Sequence, residues 1–184
     1  MKFISTPFPG LFLIEPKVFG DHRGYFFESF QQTMFDEAVG KTEFVQDNES
    51  KSGLGVLRGL HFQKPPFSQA KLVRVITGRI LDVVVDLRKG SPTFKQSYCI
   101  ELNDISKQQL FIPRGFAHGF VVLSEEAIFS YKVDNLYAPD YDAGIRFNDP
   151  DLKIDWLLPA ELLKLSEKDR KLPLLSETDL PFTF

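Results

Sequence analysis

KLVRVITGRILDVVVDL, Lys71 to Leu87, carries the main fold signal of this chain. Two β-branched apolar runs, Leu72–Thr77 and Ile80–Leu87, flank Gly78, which reads as strand, turn, strand. The second run, ILDVVVDL, alternates only partly. With its valines filling a core, Asp82 is expected to face inward or to flank a site.

Outward from this stretch the same texture recurs. Strands are expected at Leu11–Glu15, Tyr25–Ser29, Glu43–Glu49, Val56–Phe62, Gln96–Leu102, Gln108–Ile112, His118–Leu123 and Ile128–Val133. Turn signals separate them: Gly53, Lys89-Gly90-Ser91-Pro92, Asn103-Asp104 and Pro113-Arg114-Gly115. Short strands about ten residues apart predict an all-β sandwich or barrel. Gln31–Val39 reads as one short helix. Two helical turns are expected at Glu161–Leu165 and Ser166–Lys171, the second opened by Ser166 with Asp169 at the capping-box position. The apolar tail from Pro173 to Phe184 is expected to pack on the barrel or on a neighbour.

A chain of 184 residues is one domain and can bury a sizeable core. Its single cysteine, Cys99, fits a reducing compartment. MKFISTPFPG does not have the pattern of a signal peptide, and no window approaches the roughly 20 apolar residues of a membrane helix, so a cytoplasmic protein without membrane contact is expected. Net charge is −3 with no basic cluster, which argues against nucleic acid as a partner. Nineteen phenylalanines imply an aromatic-filled interior or a large apolar surface given to a partner subunit.

The chemistry centres on GVLRGLHFQ, Gly55 to Gln63. His61 lies in an apolar strand, three residues after Arg58 and ten before Lys71. A base with fixed cations suits a site that takes a proton from carbon and holds the resulting negative charge. Two stretches, Gly55-x5-His61 and Pro113-x-Gly115-x2-His118, resemble the motifs of cupin jelly rolls. A metal-binding cupin would carry a second histidine at position 63, where Gln63 stands, and a nearby carboxylate, where Phe67 and Ser68 stand. His22, the third histidine, sits in a separate polar turn. The barrel is therefore expected without a metal. A His base works best with a carboxylate on its second ring nitrogen. Spacing does not choose among Asp82, Asp86, Asp149, Asp155 and Asp169.

RGLHFQ (58–63), the run from Ser68 to Phe94, IPRGFAHGF (112–120), YKVDNLY (131–137) and GIRFNDPDLKIDW (144–156) together resemble the dTDP-4-dehydrorhamnose 3,5-epimerase family. DHRGYFFESF (21–30) and LSEKD (165–169) fit it as well, so the likeness runs from about Pro9 to about Pro173. It implies a jelly-roll, cupin-like homodimer that uses no metal or other cofactor. The implied reaction inverts a dTDP-linked 4-keto-6-deoxy sugar at positions 3 and 5.

By motif, His61 is similar to the family's catalytic base and Tyr131 to its acid. Asp169 resembles the carboxylate paired with the base, and Lys71 the lysine near the keto oxygen. Tyr137 resembles the aromatic that stacks on thymine. Arg23, Glu28, Gln46, Asn48, Arg58, His118 and Lys168 fall at substrate-contact positions. Leu136 stands where the family commonly has a second tyrosine, and Asp142, near the nucleotide, where it often has Glu.

The implied chemistry is self-consistent. Both target carbons flank one ketone, and inversion needs proton carriers on opposite ring faces, because a lone base returns the proton to the face it left. The same residues would serve an epimerase acting at one position. A non-catalytic sugar-nucleotide-binding barrel, the other alternative, gives no reason to keep both His61 and Tyr131. The expected layout is a barrel core over about 43–135, N-terminal strands within 1–42 at a dimer interface, and short helices within 159–184. Phe3, Phe8, Phe12, Phe26, Phe27 and Phe30 crowd the first thirty residues, with Tyr25, Phe27 and Ser29 on one strand face and Phe26, Glu28 and Phe30 on the other.

Overall fold

Fifteen strands, most of them short, underlie the alternating texture. The computed structural model describes residues 1–184. The first eight strands are β1 (Lys2–Ser5), β2 (Phe12–Glu15), β3 (Phe19–Asp21), β4 (Gly24–Phe26), β5 (Gln46–Gly53), β6 (Leu57–Gln63), β7 (Lys71–Thr77) and β8 (Arg79–Asp86). They are followed by β9 (Arg88–Lys89), β10 (Ser97–Asn103), β11 (Gln109–Ile112), β12 (Phe116–Val122), β13 (Glu126–Val133), β14 (Asp142–Gly144) and β15 (Phe182–Thr183). Eleven of them form two facing antiparallel sheets, ordered β1-β2-β11-β7-β13-β5 and β10-β8-β12-β6-β14, in a cupin-like jelly roll.

The Lys71–Leu87 stretch makes the corner of this fold. β7 and β8 follow each other in the chain but lie in different sheets. Gly78 between them has φ +84, and a Cβ there would overlap the Glu126 carbonyl, so the corner admits only glycine. The weak alternation of ILDVVVDL also finds its cause. Ile80 and Val84 enter the core between the sheets with Val73, Val75, Leu110, Phe120 and Phe129. Leu81, Val83 and Val85 enter a second core on the far side, closed by Ile145, Leu152, Trp156, Leu175 and Phe182 of the C-terminal segment. β8 is buried on both faces, so both sets of positions are apolar apart from Asp82 and Asp86, which are held by polar partners.

The barrel takes in more chain than residues 43–135. β1 and β2 extend the six-stranded sheet and β14 the five-stranded one. Expected strand Glu43–Glu49 lies further along, at Gln46–Gly53, where the polar run QDNESKSG pairs with β13 along its whole length. Its cause is the ladder rather than its composition. Expected strand Tyr25–Ser29 shortens to Gly24–Phe26, paired with β3 in an exposed hairpin. Most of the N-terminal phenylalanines lie inside their own chain: Phe8 is in the core, and Phe3, Phe12 and Phe30 pack around the fully buried Phe35. Phe35 belongs to α1 (Gln32–Ala38), where the Gln31 side chain accepts a hydrogen bond from the Met34 N–H. Phe19, Tyr25 and Phe26 remain outside, each more than half exposed.

The C-terminal segment ends in α2 (Glu167–Arg170) and a tail fixed by β15, which pairs in parallel with β9. The fully buried Asp86 accepts from the Arg88 guanidinium and from the Ser91 and Thr93 hydroxyls, and Arg88 also donates to the Pro9 carbonyl. The chain's beginning is thereby tied to the strand that holds its end.

β6 and β12 approach each other unusually closely where glycines face. A Cβ at Gly119 would lie 2.6 Å from the Arg58 carbonyl and 3.0 Å from Gly59 Cα. Gly119→Ala is therefore expected to force the strands apart and to lower unfolding free energy by about 1–3 kcal/mol. A urea midpoint equal to the parent's would show that this contact yields freely.

Candidate active site

Between the sheets lies a cleft of about 660 Å³, with polar groups on both walls. The five-stranded sheet contributes Arg58, His61 and His118. His61 and His118 stand directly opposite each other in the β6–β12 ladder, so their side chains share a face. The register then shifts by one between His118 and Phe120. In a regular strand, residues 58 and 61 would point to opposite faces. Here the bulge re-aims the strand, and both line the cleft.

The six-stranded sheet forms the other wall with Lys71 on β7, Phe129 and Tyr131 on β13, and Asn48 and Ser50 on β5. Ser166, Lys168 and Asp169 close the cleft from the C-terminal segment. The Ser166 hydroxyl caps α2 by accepting from the Asp169 N–H at 3.1 Å. The Asp169 carboxylate turns to the cleft, its Oδ1 2.6 Å from His61 Nε2.

The five candidate aspartates now separate by partner. Asp169 pairs with His61, and Asp82 Oδ2 lies 2.9 Å from His118 Nε2. Asp86 belongs to the Arg88 cluster. Asp149 accepts from the N–H groups of Asp151 and Leu175, and Asp155 from that of Leu157. The carboxylate for His61 is thus Asp169, which spacing left open. Asp82 faces inward as expected, but it serves the other histidine.

Electrostatics suits the pairs to proton transfer. Burial alone would raise the Asp169 pKa, but hydrogen bonds from His61, Ser166 and the Gly59 N–H outweigh it and hold the carboxyl below its ordinary range. An ionised carboxylate only accepts, so the His61 nitrogen facing it carries hydrogen, and in the neutral tautomer that this selects, the other nitrogen is the acceptor. Burial pushes the Tyr131 phenol up, against the attraction of Arg58, so it holds its proton at neutral pH. Burial pulls the Lys71 ammonium down to about 8, while Asp142 and Asp82 act in the opposite sense.

Eight of the thirteen expected site residues line this cleft: His61, Tyr131, Asp169, Lys71, Asn48, Arg58, His118 and Lys168. Three sit at its rim. Asp142 accepts from Lys168 and, at 3.2 Å, from the Tyr137 hydroxyl, while Gln46 donates to Asn48 at 2.8 Å. The last two lie elsewhere. Arg23 is on the β3–β4 hairpin, paired with Asp21 in a separate depression, and Glu28 is exposed just beyond it. Ser50 was not anticipated, although its position two residues after Asn48 puts it on the same strand face. Gln63, at the position of a metal cupin's second histidine, is buried and gives its amide to backbone groups of two loops.

A jelly roll with a histidine–carboxylate pair on one wall and a protonated phenol and a lysine on the other is a barrel built for acid–base chemistry. The family described as dTDP-4-dehydrorhamnose 3,5-epimerase matches residues 5–177, and the chain belongs to it. A dTDP-4-dehydrorhamnose 3,5-epimerase of Shigella flexneri is 53% identical over 170 residues, 92% of this chain and 93% of the relative. A dTDP-4-dehydrorhamnose 3-epimerase of Streptomyces niveus is 38% identical over 96% of this chain and 85% of its own. Among solved structures, the Legionella pneumophila dTDP-6-deoxy-D-glucose-3,5-epimerase in complex with dTDP-4-keto-L-rhamnose superposes with TM-score 0.95 at 47% identity, covering 100% of this chain and 98% of that one. The protein is an epimerase.

Lys71 supplies a pH test. Above about 8 its side chain is neutral and cannot stabilise an oxyanion, so kcat is expected to fall as pH rises through that value. Lys71→Met should reduce kcat by about 10²–10³ and remove this alkaline limb. A limb that persisted unchanged in the variant would assign it to another group.

Proposed function

We propose that this protein converts dTDP-4-dehydro-6-deoxy-D-glucose to dTDP-4-dehydro-L-rhamnose by inverting the carbons on either side of the ketone. The observation that carries this reading is that His61 and Tyr131 stand on opposite sheets of one cleft. A sugar ring lying between the sheets presents one face to each. His61 takes a proton from carbon through its free ring nitrogen, and Asp169 stabilises the imidazolium. The electrons move into the carbonyl, and the Lys71 ammonium faces the charge that develops on the keto oxygen. Tyr131 then gives its proton to the carbon from the other side, which completes inversion. The same ketone acidifies both neighbouring carbons, so one constellation serves each in turn. Arg58, Asn48 and His118 would hold the sugar, with Lys168, Asp142, Gln46 and Tyr137 toward the nucleotide.

The enzyme would work as a homodimer. Phe19, Tyr25 and Phe26 are 53%, 59% and 67% exposed on the β3–β4 hairpin, an apolar surface that calls for cover. Arg23 on this hairpin and Glu28 beyond it lie apart from their own chain's cleft, which fits delivery to the partner's site. The unpaired Cys99 supports a reducing, cytoplasmic setting, and no helix is long and apolar enough to cross a membrane.

Turnover of the dTDP-4-keto-6-deoxyglucose substrate in deuterated water tests the reaction. Deuterium is expected at both positions flanking the ketone, with inversion at each; exchange at one position alone would make this a single-position epimerase. His61→Asn should lose about 10²–10⁴ in rate. Tyr131→Phe should lose inversion yet retain some deuterium wash-in, because His61 remains. Wild-type inversion in Tyr131→Phe would give the acid's role to another group.

The shared site has its own test. Arg23→Ala and His61→Asn each inactivate every site in their own homodimers. A mixed dimer pairs an intact Arg23 with an intact His61 at one of its two sites, so mixing the variants should restore activity. Light scattering showing an active monomer, or mixing without recovery, would refute the arrangement.

A further inference from the structure

Gln63 is the last residue of β6, two positions beyond His61, and only 5% exposed. It does not line the cleft, and its side-chain hydrogen bonds all go to backbone groups. The amide nitrogen donates to the Phe67 carbonyl at 2.6 Å and to the Leu136 carbonyl at 3.1 Å. The amide oxygen accepts from the Ala138 N–H at 2.7 Å. It therefore grips the chain immediately before and immediately after Tyr137. Tyr137 itself is weakly held: its N–H reaches Gln46 at 3.4 Å, its hydroxyl reaches Asp142 at 3.2 Å, and the residue is 56% exposed.

We infer that Gln63 is a positioning residue for nucleotide recognition, its amide fixing the backbone on both sides of Tyr137 so that the ring stands as a ready platform for the nucleotide base. This rests on the reading above, in which Tyr137 meets the nucleotide. The chemistry is specific to a primary amide. Holding a carbonyl and an N–H two residues apart takes one donor and one acceptor on a single short head group. Glutamate offers lone pairs to two carbonyls, and methionine offers neither function. Neighbouring contacts join the same two loops: Gln69 donates to the Asn135 carbonyl at 2.7 Å, Asn135 donates to the Pro66 carbonyl at 3.2 Å, and the Phe67 and Tyr141 rings lie 4.6 Å apart. These support the loop's base, and Asn135 accepts from the Leu136 N–H at 2.9 Å, while Gln63 is the side chain that bonds to both residues bracketing Tyr137. A preformed platform removes the ordering cost that a loose loop would impose on binding.

The test is calorimetric binding of dTDP to the full-length protein, together with steady-state kinetics. Gln63→Glu is expected to raise the Kd for dTDP and the KM about tenfold or more, with kcat changed less than about threefold. Lowering the pH from about 8 to about 5.5 should protonate the new carboxyl, restore one donor and recover part of the affinity relative to the parent at each pH. Tyr137→Ala should weaken dTDP on its own, and the Gln63→Glu/Tyr137→Ala double variant should bind no more weakly than Tyr137→Ala alone. Unchanged affinity in Gln63→Glu, or losses that simply add in the double variant, would overturn the inference. Gln63→Met serves the same cycle if the carboxylate costs the fold; loss of the fold in both would overturn it too, by making Gln63 a residue the barrel cannot form without. Failure of the parent protein to bind dTDP or turn over the sugar would instead strike the proposed function.

Discussion

A strand buried on both faces needs a cover on each side, and β8 sets this requirement for the whole molecule. One cover is the six-stranded sheet, whose Val73, Val75 and Phe129 meet Ile80 and Val84. The other is the C-terminal segment, whose Trp156, Leu175 and Phe182 meet Leu81, Val83 and Val85. The first cover encloses the cleft, whose walls are residues of the two sheets. The second brings Ser166, Lys168 and Asp169 from more than a hundred residues away in the chain to the edge of that cleft. The hydrophobic demand of one strand thus accounts both for the enclosure of the cavity and for the carboxylate that pairs with His61.

Placing ionisable groups between packed sheets is costly unless each is compensated. Here compensation is arranged pairwise. His61 has Asp169 and His118 has Asp82, two histidines opposite each other on neighbouring strands with carboxylates from different parts of the chain. Lys71 has no such short partner, and burial lowers its pKa to about 8 while more distant carboxylates limit the fall. A cation that is incompletely compensated is well placed to meet charge that appears only during a reaction. The structure spends its hydrogen bonds on the groups that must keep their orientation and leaves Lys71 comparatively free.

Much of this was legible in the sequence, and the failures follow physical lines. The central strands are legible because apolar, β-branched runs report burial directly, and α2 through Ser166 at its start. β5 was displaced because QDNESKSG draws its structure from the ladder with β13, a nonlocal contact that composition does not encode. β14 and β15 were missed because they are three and two residues long and exist only where the chain returns to the barrel. The aromatic N-terminus suggested more surface than it supplies, because Phe35 organises Phe3, Phe12 and Phe30 into a cluster of their own. Within the site, residue types and spacing point to His61 and the cations and leave its carboxylate open; the family resemblance pairs Asp169 with the base, and the match of Asp82 to His118 comes from the fold alone.

The two histidine–aspartate pairs differ in the property that decides which can act as a base. The His118 side chain is 7% exposed and Asp82 wholly buried, with both partners in the interior strands β12 and β8. The His61 side chain is 30% exposed, and its carboxylate comes from a four-residue helix on the covering segment. A base that must meet a carbon acid needs an open approach on one side and a fixed partner on the other. His61 has both, since the bulge at Gly59 and Leu60, opposite Gly119, turns β6 toward the cleft while α2 closes behind it. His118, enclosed at the same level of the barrel, is suited to holding a substrate oxygen in place. The ladder that makes the two histidines neighbours leaves one open to the cleft and the other enclosed.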